Sequence, residues 1–372
     1  MNVQHPEASV KASGRAPYNV SRVTPFQHRN HYVSRLYLKR FAAPDGRVFT
    51  YRILAAHEGT PLWKPAAIKG IAYHEHLYTR TVAGVESDDI EKWLNTEFET
   101  PAAEPLRKAT CGMRLTKQDW HNLIRFVAAQ DVRTPAHLHE DLQRWNRELQ
   151  GVLDNTVRDA VSRAEAAKRA GQPIPTTKSY DSQLIPMRVT TAIQPGEKFG
   201  TVKAEVVVGR GLWFFGIRHL LTKTVEVLLN QRWTILLAPE GLEWFTSDDP
   251  VIRLNYFEEG KYDFRGGWGK AGGEIMMPLD SRHLLYTQVA HRPPERDSVV
   301  PRPQAVAIRR FIAEHAHRFI YAARPDTEVP MMRPRTVDSA ALRREQDLWR
   351  KWHEEQSAAE RDLLASRSAA AQ

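Results

Sequence analysis

The sequence predicts an α+β fold, with a mixed or antiparallel sheet built from early and late strands and a helical insertion in the middle. Short extended apolar segments bounded by turn residues occur in the first and last thirds of the chain, and such segments are typical of strands. Between about 87 and 170 the apolar residues recur at helical spacing instead. We therefore predict one α+β domain over residues 26–330, after a disordered leader at 1–25 and before a charged helical tail at 331–372.

The leader and the first elements are predicted from composition and turn residues. Residues 1–25 are rich in serine and proline and show no apolar periodicity, which is the composition of a disordered segment. A short helix through Tyr32, Leu36 and Leu38 follows. A Pro-Asp-Gly turn and two extended segments come next, at 44–46, 48–53 and 71–78.

Helix-start signals divide the middle of the chain. Ser87 stands directly before two aspartates, a pattern that favours an N-cap with acidic residues in the first turn. Thr116 and Asp119 have the spacing of a capping box. Pro135 is expected to end the helix that they start. A long charged helix is then predicted from 137 to 170.

The later part of the chain is predicted to be rich in strands. A Pro-Glu-Gly-Leu segment between two extended runs predicts a hairpin of strands 232–238 and 243–246. The other predicted elements are a strand at 205–208, a helix at 212–230, a strand pair at 274–278 and 283–288, a helix at 304–315, a strand at 318–322 and a solvated helix in the tail.

Composition narrows the class of protein and its partners. The 372-residue chain has a net charge of +9, which permits a phosphate-bearing or nucleic-acid partner; an arginine-rich codon bias is the alternative explanation. Its single cysteine, Cys111, excludes an internal disulfide. No apolar run approaches the ~18 residues of a spanning helix. We expect a soluble cytoplasmic protein that does not bind membranes, and the oligomeric state stays open.

Four ordered motifs resemble those of the domain of unknown function 4238 family. They are Asn30-His31-Tyr32-Val33 with Tyr37-Leu38-Lys39-Arg40-Phe41, then Ala128-Ala129-Gln130-Asp131-Val132-Arg133-Thr134-Pro135, then Trp233 followed by Phe245-Thr246-Ser247-Asp248-Asp249-Pro250, and finally Pro278-Leu279. The resemblance spans roughly residues 28–323, and the family's name implies no general activity. The chain departs from the family at Ser34, where proline is usual, and at Asp249, where asparagine is usual.

These motifs supply the candidate site. We expect His31 and Asp248 to be catalytic, and a nearby set to bind substrate: Tyr32, Gln130, Arg133 and Ser247. A histidine titrates near neutrality, and an aspartate at a strand end can serve as a base, as a metal ligand or as the partner that orients His31. An arginine offers a planar fork of donors to phosphate or carboxylate.

Each of these residues also has a structural interpretation. Arg133 can form an ion pair with Asp248 or Asp131 and tie its helix to the sheet. Ser247 and Asp248 before a proline can stabilise a turn through their own backbone bonds. His31 can be a packing residue beside its aromatic neighbours. The residues alone leave these alternatives open.

A divalent metal has only weak candidate ligands, namely His74, Glu75 and His76. On a strand, His74 and His76 would face the same side, which suits zinc or manganese. The same His-x-His spacing recurs at 137–139 and 315–317, so chance explains it equally well.

Our functional hypothesis is that the protein hydrolyses a phosphodiester or another phosphate-bearing substrate, which could be a nucleic acid. Whether a divalent metal assists the reaction stays open. The alternative is a non-enzymatic binding or interaction protein in which the same polar cluster is structural. The sequence leaves open whether the chain is an enzyme.

Overall fold

A computed structural model describes residues 26–82, 84–173, 187–193 and 200–370. The described residues form several antiparallel sheets around a central helical region, which confirms the predicted α+β class. The predicted disordered leader at 1–25 lies outside the described residues. The division into one domain and a tail stays a prediction.

The helices follow the predicted order along the chain. They are α1 (Arg35–Leu38), α2 (Asp89–Leu94), α3 (Thr100–Thr110), α4 (Lys117–Val132), α5 (Pro135–Arg169), α6 (Arg210–His219), α7 (Glu226–Leu229), α8 (Arg302–His315), α9 (Val329–Met332) and α10 (Ser339–Ala370). Single π-helical segments join α2 to α3 at Asn95–Glu99 and follow α6 at Leu220–Thr224. Because π segments displace side chains from regular helical spacing, they change which residues face the site.

The strands are mostly short. They are β1 (Arg29–His31), β2 (Arg47–Arg52), β3 (Leu54–Ala55), β4 (Trp63–Ala67), β5 (Tyr73–Glu75), β6 (Arg80–Val82), β7 (Val85–Ser87), β8 (Met187–Ile193), β9 (Gly200–Val206), β10 (Thr234–Leu237), β11 (Thr246–Ser247), β12 (Ile252–Glu258), β13 (Lys261–Asp263), β14 (Glu274–Pro278), β15 (His283–Gln288), β16 (Phe319–Ala322) and β17 (Thr336–Val337).

Early and late strands share one sheet, as the sequence predicts. Its order is β11-β16-β2-β4, with Tyr321 of β16 opposite Thr50 of β2. A second sheet has the order β10-β15-β14-β12-β13 and contains the predicted pair β14–β15. A separate antiparallel pair, β1–β5, places Asn30 opposite His74. It thereby brings the first family motif beside the segment that holds the weak metal candidates.

The predicted hairpin after β10 is wrong. β10 pairs with β15, and β11 pairs with β16 in the other sheet. The chain between them is held elsewhere, since the Trp244 amide donates to the Ser281 carbonyl at 2.8 Å. Trp244 and Phe245 are buried in an apolar cluster that also contains Leu236 of β10, so the two segments pack together without pairing as strands. Local turn residues cannot reveal which strands pair.

The start of α4 forms as its predicted capping box requires. The Thr116 hydroxyl accepts from the Asp119 amide at 3.1 Å, and the Asp119 carboxylate accepts from the Thr116 amide at 2.8 Å. At the other end, Thr134 caps α5 by accepting from the His137 amide at 3.2 Å. Arg133 is the C-cap residue of α4 and therefore lies directly between the two helices.

The C-terminal helix α10 packs on the body, although the sequence predicts a solvated helix. Leu342 and Trp352 are buried, and Trp349 stacks on His74 with ring centroids 3.9 Å apart. Among the described residues, no helix has both the length and the apolarity needed to cross a membrane.

Candidate functional site

A buried arginine holds the His31–Tyr32 segment in place. Arg133 is fully buried, and its guanidinium donates to the His31 carbonyl at 2.5 Å and to the Tyr32 carbonyl at 3.0 Å. Its third contact is with the Glu99 carboxylate at 2.6 Å. The predicted ion pair with Asp248 or Asp131 is thus replaced by one with Glu99, which the π segment before α3 supplies.

Gln130 extends the same buried network. Its Oε1 accepts from the Ser34 amide at 3.0 Å, while the Ser34 hydroxyl donates to Glu99 at 2.6 Å. The Tyr78 hydroxyl donates to the Arg133 carbonyl at 2.6 Å. These contacts tie β1, the π segment and α4 together. Gln130 and Arg133 therefore bind the protein's own backbone in this structure.

A large basic cleft opens beside His31. Its volume is about 680 Å³, within the ~300–1,000 Å³ typical of ligand sites. We call it the basic cleft; it is lined by Phe26, Gln27, His28, Arg29, His31, Arg35, Leu36, Lys39, Lys69, Glu91, Asn95 and Glu99. Within the described residues, three of its cations form no ion pair: Arg35, Lys39 and Lys69. Such a surface attracts anions.

The pKa values of two ionisable groups in the basic cleft are shifted in opposite directions. Burial, with help from Arg35 and Arg133, lowers the pKa of His31 to about 4. Burial raises the pKa of Glu91 to about 7. In the described part of the chain, His31 Nε2 and Glu91 Oε2 are buried without a hydrogen-bond partner. At neutral pH the cleft thus offers a neutral imidazole and a carboxyl group that is partly protonated.

Asp248 lies in a different and smaller pocket of about 230 Å³. We call it the aspartate pocket; its lining residues include Tyr32, Arg52, His74, His317, Arg318 and Trp349. The Asp248 carboxylate accepts from the amides of His317 and Arg318 at 2.9 and 2.8 Å. Burial nevertheless raises the pKa of Asp248 to about 7. Tyr32 and Asp248 therefore share a pocket, whereas His31 faces the basic cleft.

Ser247 forms the side-chain turn that was one of the two alternatives. Its hydroxyl donates to the Asp249 carbonyl at 2.8 Å and accepts from the Asp249 amide at 3.2 Å. Asp249 then accepts from the Thr134 hydroxyl at 3.1 Å. The serine, which is almost completely buried, connects the sheet to the α4–α5 junction in this structure.

The three weak metal candidates line one pocket but have different partners. His74 packs between Tyr32 and Trp349, and burial lowers its pKa to about 4. Glu75 is exposed and lies 3.6 Å from Arg29. His76 instead joins two residues that sequence reasoning did not nominate, Glu86 and His353, with ligand atoms within 4.8 Å of one another.

Several residues of the basic cleft were missed from sequence. Arg35 and Lys39 are four residues apart on one short helical segment, so their shared face could have been predicted. Glu91 and Glu99 could not, because the π segment at Asn95–Glu99 alters the register between them.

Comparison with known proteins identifies a family but no activity. A family model described as "Protein of unknown function (DUF4238)" matches residues 29–326. No curated protein and no solved structure matches the chain.

Proposed function

The chain belongs to the DUF4238 family, whose description assigns no activity, and we propose that it hydrolyses a phosphodiester or related phosphate-bearing substrate in the basic cleft. One observation carries the proposal: Arg35, Lys39 and Lys69 line the same cleft as His31 and Glu91 and form no ion pair among the described residues. Lysine and arginine side chains that have no acidic partner are available to bind phosphate through charge-assisted hydrogen bonds. The cations would hold the substrate and stabilise the charge that develops on its oxygens.

His31 and Glu91 are the proposed base and acid. Neutral His31 takes a proton from water as the water oxygen forms its bond to phosphorus. The phosphorus–ester bond breaks, and protonated Glu91 gives its proton to the leaving oxygen. His31 then returns its proton to solvent and Glu91 regains one. A bound phosphate group opposes the effect of Arg35 and thereby raises the pKa of His31 towards neutrality.

Nucleotides or single-stranded nucleic acid suit the entrance of this cleft. Phe26 lines it with 40 % of its surface exposed. An exposed aromatic ring beside cations can stack on a base while the cations bind its phosphate. The ring therefore favours a nucleotide unit over a bare phosphate.

The second candidate is a non-enzymatic binding protein, and a different observation favours it. Arg133 donates to two of the chain's own carbonyl groups, and Gln130 accepts from one of its amides. This proposal predicts that a phosphate-bearing ligand binds in the basic cleft without turnover, and that the network acts on stability alone.

Hydrolysis of bis(para-nitrophenyl) phosphate distinguishes the two. We expect turnover by the wild type, and a kcat lower by about 10²–10⁴ in Glu91→Gln and His31→Gln, the usual contribution of general acid or base catalysis. His291→Ala, on an exposed histidine away from the cleft, is the control and should retain full activity. Folded protein that binds an oligonucleotide without cleaving it or the ester would favour the binding protein.

A further inference from the structure

Three potential ligands meet outside both pockets of the candidate site. His76 follows β5, Glu86 lies in β7 and His353 lies in α10, and one potential ligand atom from each lies within 4.8 Å of the other two. The three elements are far apart in sequence. Their convergence therefore depends on the docking of α10 against the β6–β7 hairpin.

The backbone around His76 fixes its position. His76 has a φ of 56°, in the left-handed region that is unfavourable for a residue other than glycine. Its amide donates to the His28 carbonyl at 2.6 Å. Its Nδ1 is buried without a hydrogen-bond partner among the described residues. A strained backbone thus holds an imidazole whose ring nitrogen lacks a partner.

His353 presents its Nε2 to the carboxylate. The His353 Nε2 lies 2.6 Å from Glu86 Oε1, and its ring stacks on His76 with centroids 4.1 Å apart. The buried Arg210 contacts His353 Nδ1 at 3.0 Å and is itself held by Glu360. Because a guanidinium can only donate, Nδ1 accepts and the ring proton of neutral His353 lies on Nε2, facing Glu86.

We propose that His76, Glu86 and His353 bind a zinc ion. Two imidazoles and one carboxylate are a ligand set typical of zinc, which leaves a fourth position for water. An open pocket of about 460 Å³ lies against His76 and His353 and gives that water access. The site goes beyond the proposed hydrolase and does not depend on it.

Zinc binding carries an identifiable cost. A neutral imidazole that binds zinc through Nε2 carries its proton on Nδ1. Zinc binding therefore moves the His353 proton from Nε2 to Nδ1, where it disrupts the Arg210 hydrogen bond. Arg210 retains its bonds to Glu360 and Ser357. We therefore expect weaker binding than at a site whose histidines donate to carbonyl or carboxylate oxygens.

Zinc titration against a chromophoric chelator tests the site. Untagged full-length protein, first stripped with a chelator, should bind one Zn²⁺ per chain. His76→Ala and the exposed Glu86→Gln should each weaken binding by at least about 100-fold, since even loss of a residue behind the ligands costs 10–100-fold. Glu58→Gln, on an exposed glutamate that does not line this pocket, is the matched control and should bind as the wild type does.

Two results would overturn the site. One is a wild type that fails to compete with the chelator for zinc. The other is a folded Glu86→Gln variant that binds zinc as tightly as Glu58→Gln does. Circular dichroism is used to check that each variant is folded. If His76→Ala does not fold, Glu86→Gln still decides the test, because Glu86 is on the surface.

Discussion

Replacing Arg133 with methionine should unfold the protein at much lower denaturant concentration. The variant Arg133→Met keeps much of the apolar stem but removes every charged interaction of a fully buried side chain. It leaves the His31 and Tyr32 carbonyls without their donor and the Glu99 carboxylate without its cation. The expected effect is on stability, because these groups belong to the protein itself.

The size of the expected loss of stability follows from the Glu99 carboxylate, which the substitution leaves without its partner. The Glu99 side chain is only 17 % exposed, and breaking a buried ion pair by removing one partner costs about 3–5 kcal/mol. The double variant Arg133→Met with Glu99→Met also removes the stranded charge. Its loss of unfolding free energy should therefore be smaller than the sum of the losses in the two single variants.

Urea unfolding followed by circular dichroism measures these free energies. Arg35→Met is the matched control, since Arg35 is an exposed arginine without an ion pair in the described part of the chain, and it should change stability by less than about 0.5 kcal/mol. The structural role of Arg133 would be refuted if Arg133→Met were as stable as Arg35→Met.

Two further predictions concern stability. Thr116→Ala removes the N-cap of α4 and should cost about 1 kcal/mol, measured by urea unfolding, whereas an unchanged midpoint would contradict the capping box. The second concerns Asp248→Asn and pH. Burial raises the pKa of Asp248 to about 7, so its stabilising contribution is complete below about pH 4 and is lost as the pH rises to about 7. The advantage of the wild type over Asp248→Asn should therefore fall across that range by up to about 1.4 kcal/mol per pH unit, and a pH-independent difference would rule out the shift.

Local signals predicted the elements whose partners lie nearby in sequence. The capping box at Thr116 forms as expected, and β14 and β15 have the predicted bounds. The predicted hairpin after β10 does not form, because β10 pairs with β15 and β11 pairs with β16. A turn signal reports backbone preference, whereas the pairing of a strand is decided by competition among all strands.

The candidate site was predicted in part. The motifs do meet, since Arg133 touches the backbone of His31 and Tyr32. Consecutive residues nevertheless face different pockets, so His31 lines the basic cleft while Tyr32 and Asp248 line the aspartate pocket. Residue types alone could not show this division, because it depends on where the β1–β5 pair places each side chain.

The salt dependence of oligonucleotide binding tests the basic cleft most directly. A labelled single-stranded oligonucleotide should bind the wild type, with a log K that falls linearly as log salt concentration rises. In the double variant Lys39→Gln with Lys69→Gln, the magnitude of this negative slope should be smaller by about 0.7 for each phosphate that is no longer neutralised. Lys117→Gln with Arg292→Gln removes the same charge from exposed positions outside the cleft and should leave the slope unchanged. Equal slopes and affinities for the two double variants would contradict phosphate binding in the cleft.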